Sequence, residues 1–239
     1  KHVVNLSEGL NKFNCTTLLI SGQPSKSEGD MFDLATNKNF NIKIIKHLRR
    51  PISIFSDLIS FFKLIIEIKR FSPDIVHTHT TKAGILGRAA ALVCGVPKIF
   101  HTYHGNVFKG YFSRFTTCLI IAIERFFSAF TTKLIALTPN LAKELNHLFR
   151  IKNTDKIAVI PLGLNLDSYL FTPRKMNTWR KSLGLTEKDF VIGIVARLVP
   201  IKNHKMLINS MKILSSKFPE LHLAIIGNGE LEDELIKQA

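Results

Sequence analysis

Apolar residues along this chain follow two alternating rhythms. Short, nearly unbroken apolar runs occur at Thr16–Ser21, Asn41–Lys46, Asp74–Thr78, Lys98–Thr102, Lys133–Thr138 and Lys156–Pro161. Around and between them, apolar residues return every three or four positions in Lys1–Lys12, Ile52–Phe71, Ala83–Cys94, Phe112–Phe130 and Pro139–Leu148. The first rhythm predicts strands and the second predicts amphipathic helices. Runs such as KLIAL (133–137) and KIAVI (156–160) do not alternate polar with apolar. A strand of that kind is covered on both faces, as in a parallel sheet. Alternating strands and helices then predict an α/β fold with doubly wound parallel sheets. Local punctuation agrees. Thr138 before Pro139 is a helix N-cap followed by proline at the first helical position. Pro73 ends the long helix before the strand that starts at Asp74.

The pattern lapses over Pro161–Pro173, which has a turn-like start and no period and reads as an interdomain linker. A second α/β run follows: helix Arg174–Leu183, strand Phe190–Ala196, helix Asn203–Phe218, strand Leu221–Ile226 and helix Gly229–Ala239. The expected domains are 1–162 and 163–239. Two strands are few for a complete second core, and the chain opens directly in a helix. Both ends are therefore expected to be cut.

Composition narrows the class. At 239 residues and 46% hydrophobic, the chain suffices for one large or two modest domains. No apolar run reaches the roughly 18 residues of a membrane span; Cys118–Ile123 stops at Glu124 and Arg125. No secretory leader is visible at Lys1. The three cysteines, Cys15, Cys94 and Cys118, form no CxxC and are expected to be reduced and mostly buried. Net charge is +15, and residues 1–162 hold 22 Lys/Arg against 10 Asp/Glu. That asymmetry means either an anionic partner, nucleic acid or an acidic membrane face, or only a solvated basic surface.

Candidate chemistry gathers at predicted strand ends. In FVIGIVARLVPIKNH (190–204), Arg197 follows the strand and Lys202 precedes a helix. Two cations beside a helix N-terminus either suit a diphosphate or are simply solvated surface. Gly227, Asn228 and Gly229 end the next strand, either to admit a ligand to backbone N–H groups or as a tight turn. In the first domain, His77 and His79 end one strand, and His101 and His104 end the next. A zinc site is disfavoured because no other ligand type stands at suitable spacing. By strand alternation His77 and His101 are expected to point into the core or its rim, leaving His104, before Gly105, either to meet a hydroxyl or move a proton or to be a satisfied loop histidine. Lys82 is either a contact for an anionic substrate or an exposed first-turn lysine. The small residues of Ala83–Ala91 predict close helix–sheet packing. Aromatic and basic residues mix over Phe108–Phe130, and with Arg49, Arg50, Phe61, Phe62, Lys63, Lys69 and Arg70 they describe either core helix faces or an anionic bilayer contact. GxxxxGK[ST], GxSxG and HExxH do not occur.

In order, the segments DIVHTHTTKAGILGRAAAL, IFHTYHGNVFKGYFS, IALTPNLAKEL, KIAVIPLGLNLDSYL, VARLVPIKNH and LAIIGNGELE resemble a retaining glycosyltransferase of family 4 (group 1) with the GT-B architecture. The resemblance covers nearly the whole chain. It implies two Rossmann-like domains facing a cleft, and transfer of a sugar from a nucleotide-diphosphate sugar to an acceptor hydroxyl with retention. No metal or other cofactor is implied. By the resemblance, Arg197 and Lys202 hold the donor diphosphate and Gly227, Asn228 and Gly229 line the same pocket. His104 carries the catalytic role, with His79, Lys82 and Gly105 as acceptor-side candidates. The acceptor is expected to be a carbohydrate or lipid-linked, in envelope polysaccharide or glycolipid synthesis. A cytoplasmic location is expected, peripheral on the inner membrane face. Two departures stand out: the family's first-strand glycine loop is absent, and so is its glutamate pair, since E-x7-E occurs nowhere in the chain. As given, the chain is therefore expected to be inactive. The alternatives are a nucleotide-sugar epimerase on the same fold and a basic, non-catalytic module for membrane or nucleic acid.

Overall fold

The computed structural model describes residues 2–23, 40–49, 51–105, 113–163, 166, 170 and 178–239. They gather into two compact units, Lys1–Asn165 and Leu166–Ala239. Most of the sequence-predicted linker and the first residues of its following helix lie outside the described residues.

The first unit runs α1 (His2–Asn11), β1 (Leu18–Gly22), β2 (Asn41–Ile45), α2 (Ile54–Phe71), β3 (Ile75–His79), α3 (Thr81–Val93), β4 (Lys98–Tyr103), α4 (Arg114–Phe130), β5 (Lys133–Ala136), α5 (Pro139–Phe149) and β6 (Ile157–Val159). Strands β1 and β2 form a parallel pair, and β3-β4-β5-β6 form a parallel quartet. The apolar run of β5 lies inside the quartet, with Leu134, Ile135 and Ala136 at 0, 9 and 0% exposure. The run at Lys156 does not behave as expected. Its first residue, Lys156, ends a 3₁₀ turn that starts at Thr154, and β6 is a short edge strand whose Val159 is exposed, because only β5 pairs with it. Thr138 caps α5 by accepting from the N–H of Leu141.

Two apolar clusters hold this unit together. One joins Tyr103 and Leu134 to Leu141, Leu145 and Phe149 of α5; the other joins Ile45, Leu64, Ile68, Ala90 and Ile99. The small residues of α3 do pack tightly. A Cβ on Gly84 would stand 2.4 Å from the His101 ring, and one on Gly87 would stand 2.8 Å from the Thr78 methyl. The cysteines are free but not mostly buried: Cys15 and Cys118 are exposed and Cys94 is half-buried. Cys118 lies on the outward face of α4, and its place in an apolar run hid this.

The second unit contains α6 (Thr178–Ser182), β7 (Phe190–Val195), α7 (His204–Ser215), β8 (Leu221–Ile226) and α8 (Glu232–Gln238). Strands β7 and β8 pair in parallel from Phe190↔Leu221 to Val195↔Ile226. Leu198, Ile208 and Leu235 form its core. Two helix starts differ from the sequence reading. Asn203 takes a left-handed conformation (φ 52°, ψ 42°) that ends a 3₁₀ turn over Pro200–Lys202, so α7 begins at His204. The Gly-Asn-Gly turn likewise stops short of α8, which begins at Glu232. Among the described residues, no helix is long and apolar enough to cross a membrane.

Candidate active site

The histidines of the first unit are sorted by the pleat. Residues two apart on a strand share a face, so His77 and His79 lie together while Thr78 points the other way. Thr78 aligns with His101 across the β3–β4 register. His101 is 1% exposed and packs under α3, with Nδ1 at 2.8 Å from Thr78 Oγ1. His101 thus lies in the core and His77 at its rim, on opposite faces of the sheet. His77 sits half-buried beside His79, with ring centroids 4.4 Å apart, and its Nε2 is 2.7 Å from Thr102 Oγ1.

His104 stands one residue beyond β4, and its Nε2 lies 3.0 Å from His79 Nδ1. The ring of His2, at the start of α1, meets both edge-on, at 5.4 Å from His104 and 6.0 Å from His79. Burial disfavours added charge on every one of these rings, and repulsion from neighbouring histidines adds to it for His77, His79 and His104. The pKa of His77 falls to about 4 and that of His79 to about 3. His104 and His2 are also lowered, mainly by burial. At neutral pH the cluster is thus a set of neutral donors and acceptors. Among the described residues no group of three or more side chains is arranged to hold a metal ion. His2 carries no strand-end signature in the sequence; a histidine opening a helix that packs on the sheet was the available signal.

A buried ion pair lies beneath. Arg88 and Glu124, both 0% exposed, meet at 2.7 Å, and the Tyr103 hydroxyl donates to the same carboxylate oxygen at 2.6 Å. Arg88 Nε donates to the Gly84 carbonyl at 3.0 Å, and its guanidinium lies 5.1 Å from the Phe127 ring centroid. Burial and the Glu124 charge raise the Tyr103 pKa well above its usual value. Burial first, and the Arg88 charge second, keep His101 uncharged. A lone arginine among small residues and a lone glutamate in an apolar helix were the readable signs of this pair.

Two acceptor-side candidates look different in the structure. Lys82 is not open to a substrate: it pairs with Asp57 in the first turn of α2 and donates to the Pro51 carbonyl at 2.5 Å. Gly105 is exposed, and a Cβ there would meet nothing within 4 Å, so no packing demand requires a glycine. Residues Phe108, Lys109, Tyr111 and Phe112, and also Arg50, lie outside the described residues.

In the second unit, Arg197 leaves the end of β7 and Lys202 stands on the 3₁₀ turn. Both side chains are exposed, and among the described residues neither has an ion-pair or hydrogen-bond partner. The backbone beneath them is tightly held. Ile226 O accepts from the Ala196 N–H at 3.1 Å, Asn228 O from the Leu198 N–H at 2.8 Å, and Leu198 O from the Leu231 N–H at 3.1 Å. The two loops are zipped together beyond their strands. A Cβ on Gly227 would stand 2.0 Å from Ala196 O, and one on Gly229 would stand 2.4 Å from Leu198 O. These glycines therefore let one loop approach the other, which fixes the backbone that carries Arg197. His204 is 1% exposed, and among the described residues neither of its ring nitrogens has a partner.

Comparison with known proteins bears directly on this arrangement. Residues 1–168 match the family model described as Glycosyltransferase Family 4, and residues 175–239 match that described as Glycosyl transferases group 1. A UDP-Gal:alpha-D-GlcNAc-diphosphoundecaprenol alpha-1,3-galactosyltransferase of Escherichia coli is 36% identical over 190 residues, covering 79% of this chain and 49% of that protein. The capsular polysaccharide biosynthesis glycosyltransferase CapM of Staphylococcus aureus is 31% identical over 195 residues, covering 79% of this chain and 50% of its own length. The chain thus spans about half the length of these curated relatives. A solved glycosyltransferase from Rickettsia africae superposes with a TM-score of 0.66 at 18% identity, covering 94% of this chain and 63% of that one.

Proposed function

This chain belongs to glycosyltransferase family 4, and from that membership we propose that the protein transfers a sugar from a nucleotide-diphosphate sugar to an acceptor hydroxyl, with retained configuration. The observation that carries the reading is the pair Arg197 and Lys202, exposed and free of described partners on a loop that the β8 turn holds in place. As the anomeric C–O bond breaks, negative charge grows on the leaving diphosphate. A guanidinium fork and an ammonium positioned beforehand stabilise that charge at little reorganisation cost. His104, neutral at physiological pH, is assigned the hydrogen bond to a sugar hydroxyl. Because the two cations take up the diphosphate charge, no divalent ion is invoked, and EDTA is expected to leave transfer unchanged.

The names of the relatives favour UDP as the nucleotide and an envelope polysaccharide or glycolipid acceptor. Both are transferases, which weakens the epimerase alternative. Because the chain as given lacks the glutamate pair, the test is incubation of the full-length protein that contains it with labelled UDP-sugars and undecaprenyl-diphosphate-linked acceptors. Labelled lipid product is expected, and its loss in Arg197→Ala together with Lys202→Ala. No transfer with any UDP-sugar, or full transfer by the doubly substituted protein, overturns the reading.

The proposal includes an anionic bilayer as the surface on which a lipid-linked acceptor is met. On α2, Phe55, Leu58, Phe62 and Ile66 are exposed by 73, 53, 55 and 47% and recur at helical spacing as one stripe. The two acids of this helix are already paired, Asp57 with Lys82 and Glu67 with Lys43 and Arg70 at 3.4 and 3.6 Å. Lys63 and Lys69 remain exposed beside the stripe, with no described acidic partner. Apolar side chains flanked by uncompensated lysines suit the headgroup region of an acidic membrane. Flotation with phosphatidylglycerol vesicles is expected to carry the protein, and phosphatidylcholine vesicles are not. Phe55→Ser with Phe62→Ser should abolish flotation. Retained flotation in that variant, or equal binding to both vesicles, removes the bilayer from the proposal.

A further inference from the structure

We propose that His79 is a positioning residue for His104, occupying Nε2 of that ring so that Nδ1 alone is left to meet a substrate hydroxyl. The inference rests on the assignment of His104 to the substrate made above, and adds the device that orients it. Nitrogen-to-nitrogen contact at 3.0 Å between His79 Nδ1 and His104 Nε2 is a hydrogen bond in which one ring donates and the other accepts. The bond has two proton arrangements. If His79 donates, His104 carries its proton on Nδ1 and offers a donor. If His104 donates, its Nδ1 is a lone pair and offers an acceptor. Either way, one nitrogen of His104 is committed and the other is available.

The support behind His79 is continuous. Thr102 Oγ1, in the buried β4, holds His77 Nε2 at 2.7 Å, and the His77 ring lies 4.4 Å from that of His79. Among the described residues, the groups facing the pair are His2 from α1, His77 from the same strand, and His101 and Arg88 farther in. Every one of them is a neutral imidazole at pH 7 or a cation. His79 accordingly remains neutral well below pH 7 and keeps its capacity for this bond. His104, closer to solvent, is the ring that takes up a proton first, and doing so fixes it as the donor to His79.

The experiment compares His79→Phe, which keeps a packed ring without nitrogen, with His79→Asn, whose amide can stand where Nδ1 does. For His79→Phe, kcat is expected to fall roughly 10- to 100-fold with the donor KM unchanged, and its acid limb to move. His79→Asn should recover most of that loss. In parallel, 15N NMR of the His104 ring should show a hydrogen-bonded Nε2 in the native protein and in His79→Asn, and an averaged tautomer in His79→Phe. An unchanged kcat in His79→Phe, or His104 nitrogen shifts that do not respond to it, overturns the inference. If the native protein shows no transfer at all, the functional reading fails instead, and the nitrogen shifts alone decide whether His79 orients His104.

Discussion

At the carboxyl ends of β3 and β4 stand neutral rings bonded to one another; at those of β7 and β8 stand two cations for which the described residues offer no partner. The first group is shaped by burial. Contacts with Thr102, Thr78 and one another orient the rings, and burial keeps them uncharged, with the Arg88 charge adding to it at His101. The second is shaped by backbone. Two loops are zipped by three hydrogen bonds through a pair of glycines, and the charged side chains are left in water. Substitutions should separate the two accordingly. Changes in the first unit should register in stability and pH response, and changes in the second in affinity for an anion.

The largest expected effect is at Arg88. Arg88→Ala leaves Glu124 buried without its counter-ion, and removing one partner of such a pair costs about 3–5 kcal/mol. Urea unfolding should show it, while Arg197→Ala stays within about 0.5 kcal/mol of the native protein. Equal destabilisation by the two would erase the contrast. Gly227→Ala comes next. It forces a methyl against Ala196 O and should cost about 1–3 kcal/mol, and it should also weaken UDP binding because the displaced strand end carries Arg197. Stability lost with UDP affinity intact would show that the loop does not position the cation.

Acidification is expected to act more gradually and through the first unit. Its histidines have folded pKa values below the unfolded 6.5, about 4 for His77 and about 3 for His79. The unfolded chain therefore binds protons that the folded chain refuses, and stability should decline as pH falls from about 6.5 toward 4. Urea midpoints at pH 7.5, 6 and 5 would trace this, and His77→Phe should flatten the curve. A midpoint that is constant over that range would contradict the burial-driven shifts. The smallest effect is expected at His204. Its ring is buried with both nitrogens lacking a described partner, so His204→Leu should be neutral or slightly stabilising in thermal unfolding. A clear loss of stability would mean the ring has an essential contact.

Much of this was legible in the sequence, for identifiable reasons. Continuous apolar runs marked inner strands such as β5, and the Thr138-Pro139 pair marked the start of α5. Small residues marked the helix that presses on His101. The cations at Arg197 and Lys202 were readable because strand-to-helix turns are where parallel sheets place ligands. What was hidden depends on pairing across the chain. The Lys82 bond to Asp57 joins helices 25 positions apart, and His2 approaches His79 and His104 only through the packing of α1. The face shared by His77 and His79 followed from the pleat and could have been read. The glycines of the β8 turn were read as admitting a ligand or as a tight turn; in the structure a neighbouring loop lies against them, which only the pairing of the two loops reveals.

Calorimetric titration of UDP into the native protein, Arg197→Ala and His104→Ala tests the division between the two regions most directly. The expected result is a loss of roughly tenfold or more in affinity for Arg197→Ala, from one charge-assisted contact removed, with His104→Ala binding UDP as the native protein does. Unchanged affinity in Arg197→Ala, or an equal loss in His104→Ala, would contradict it.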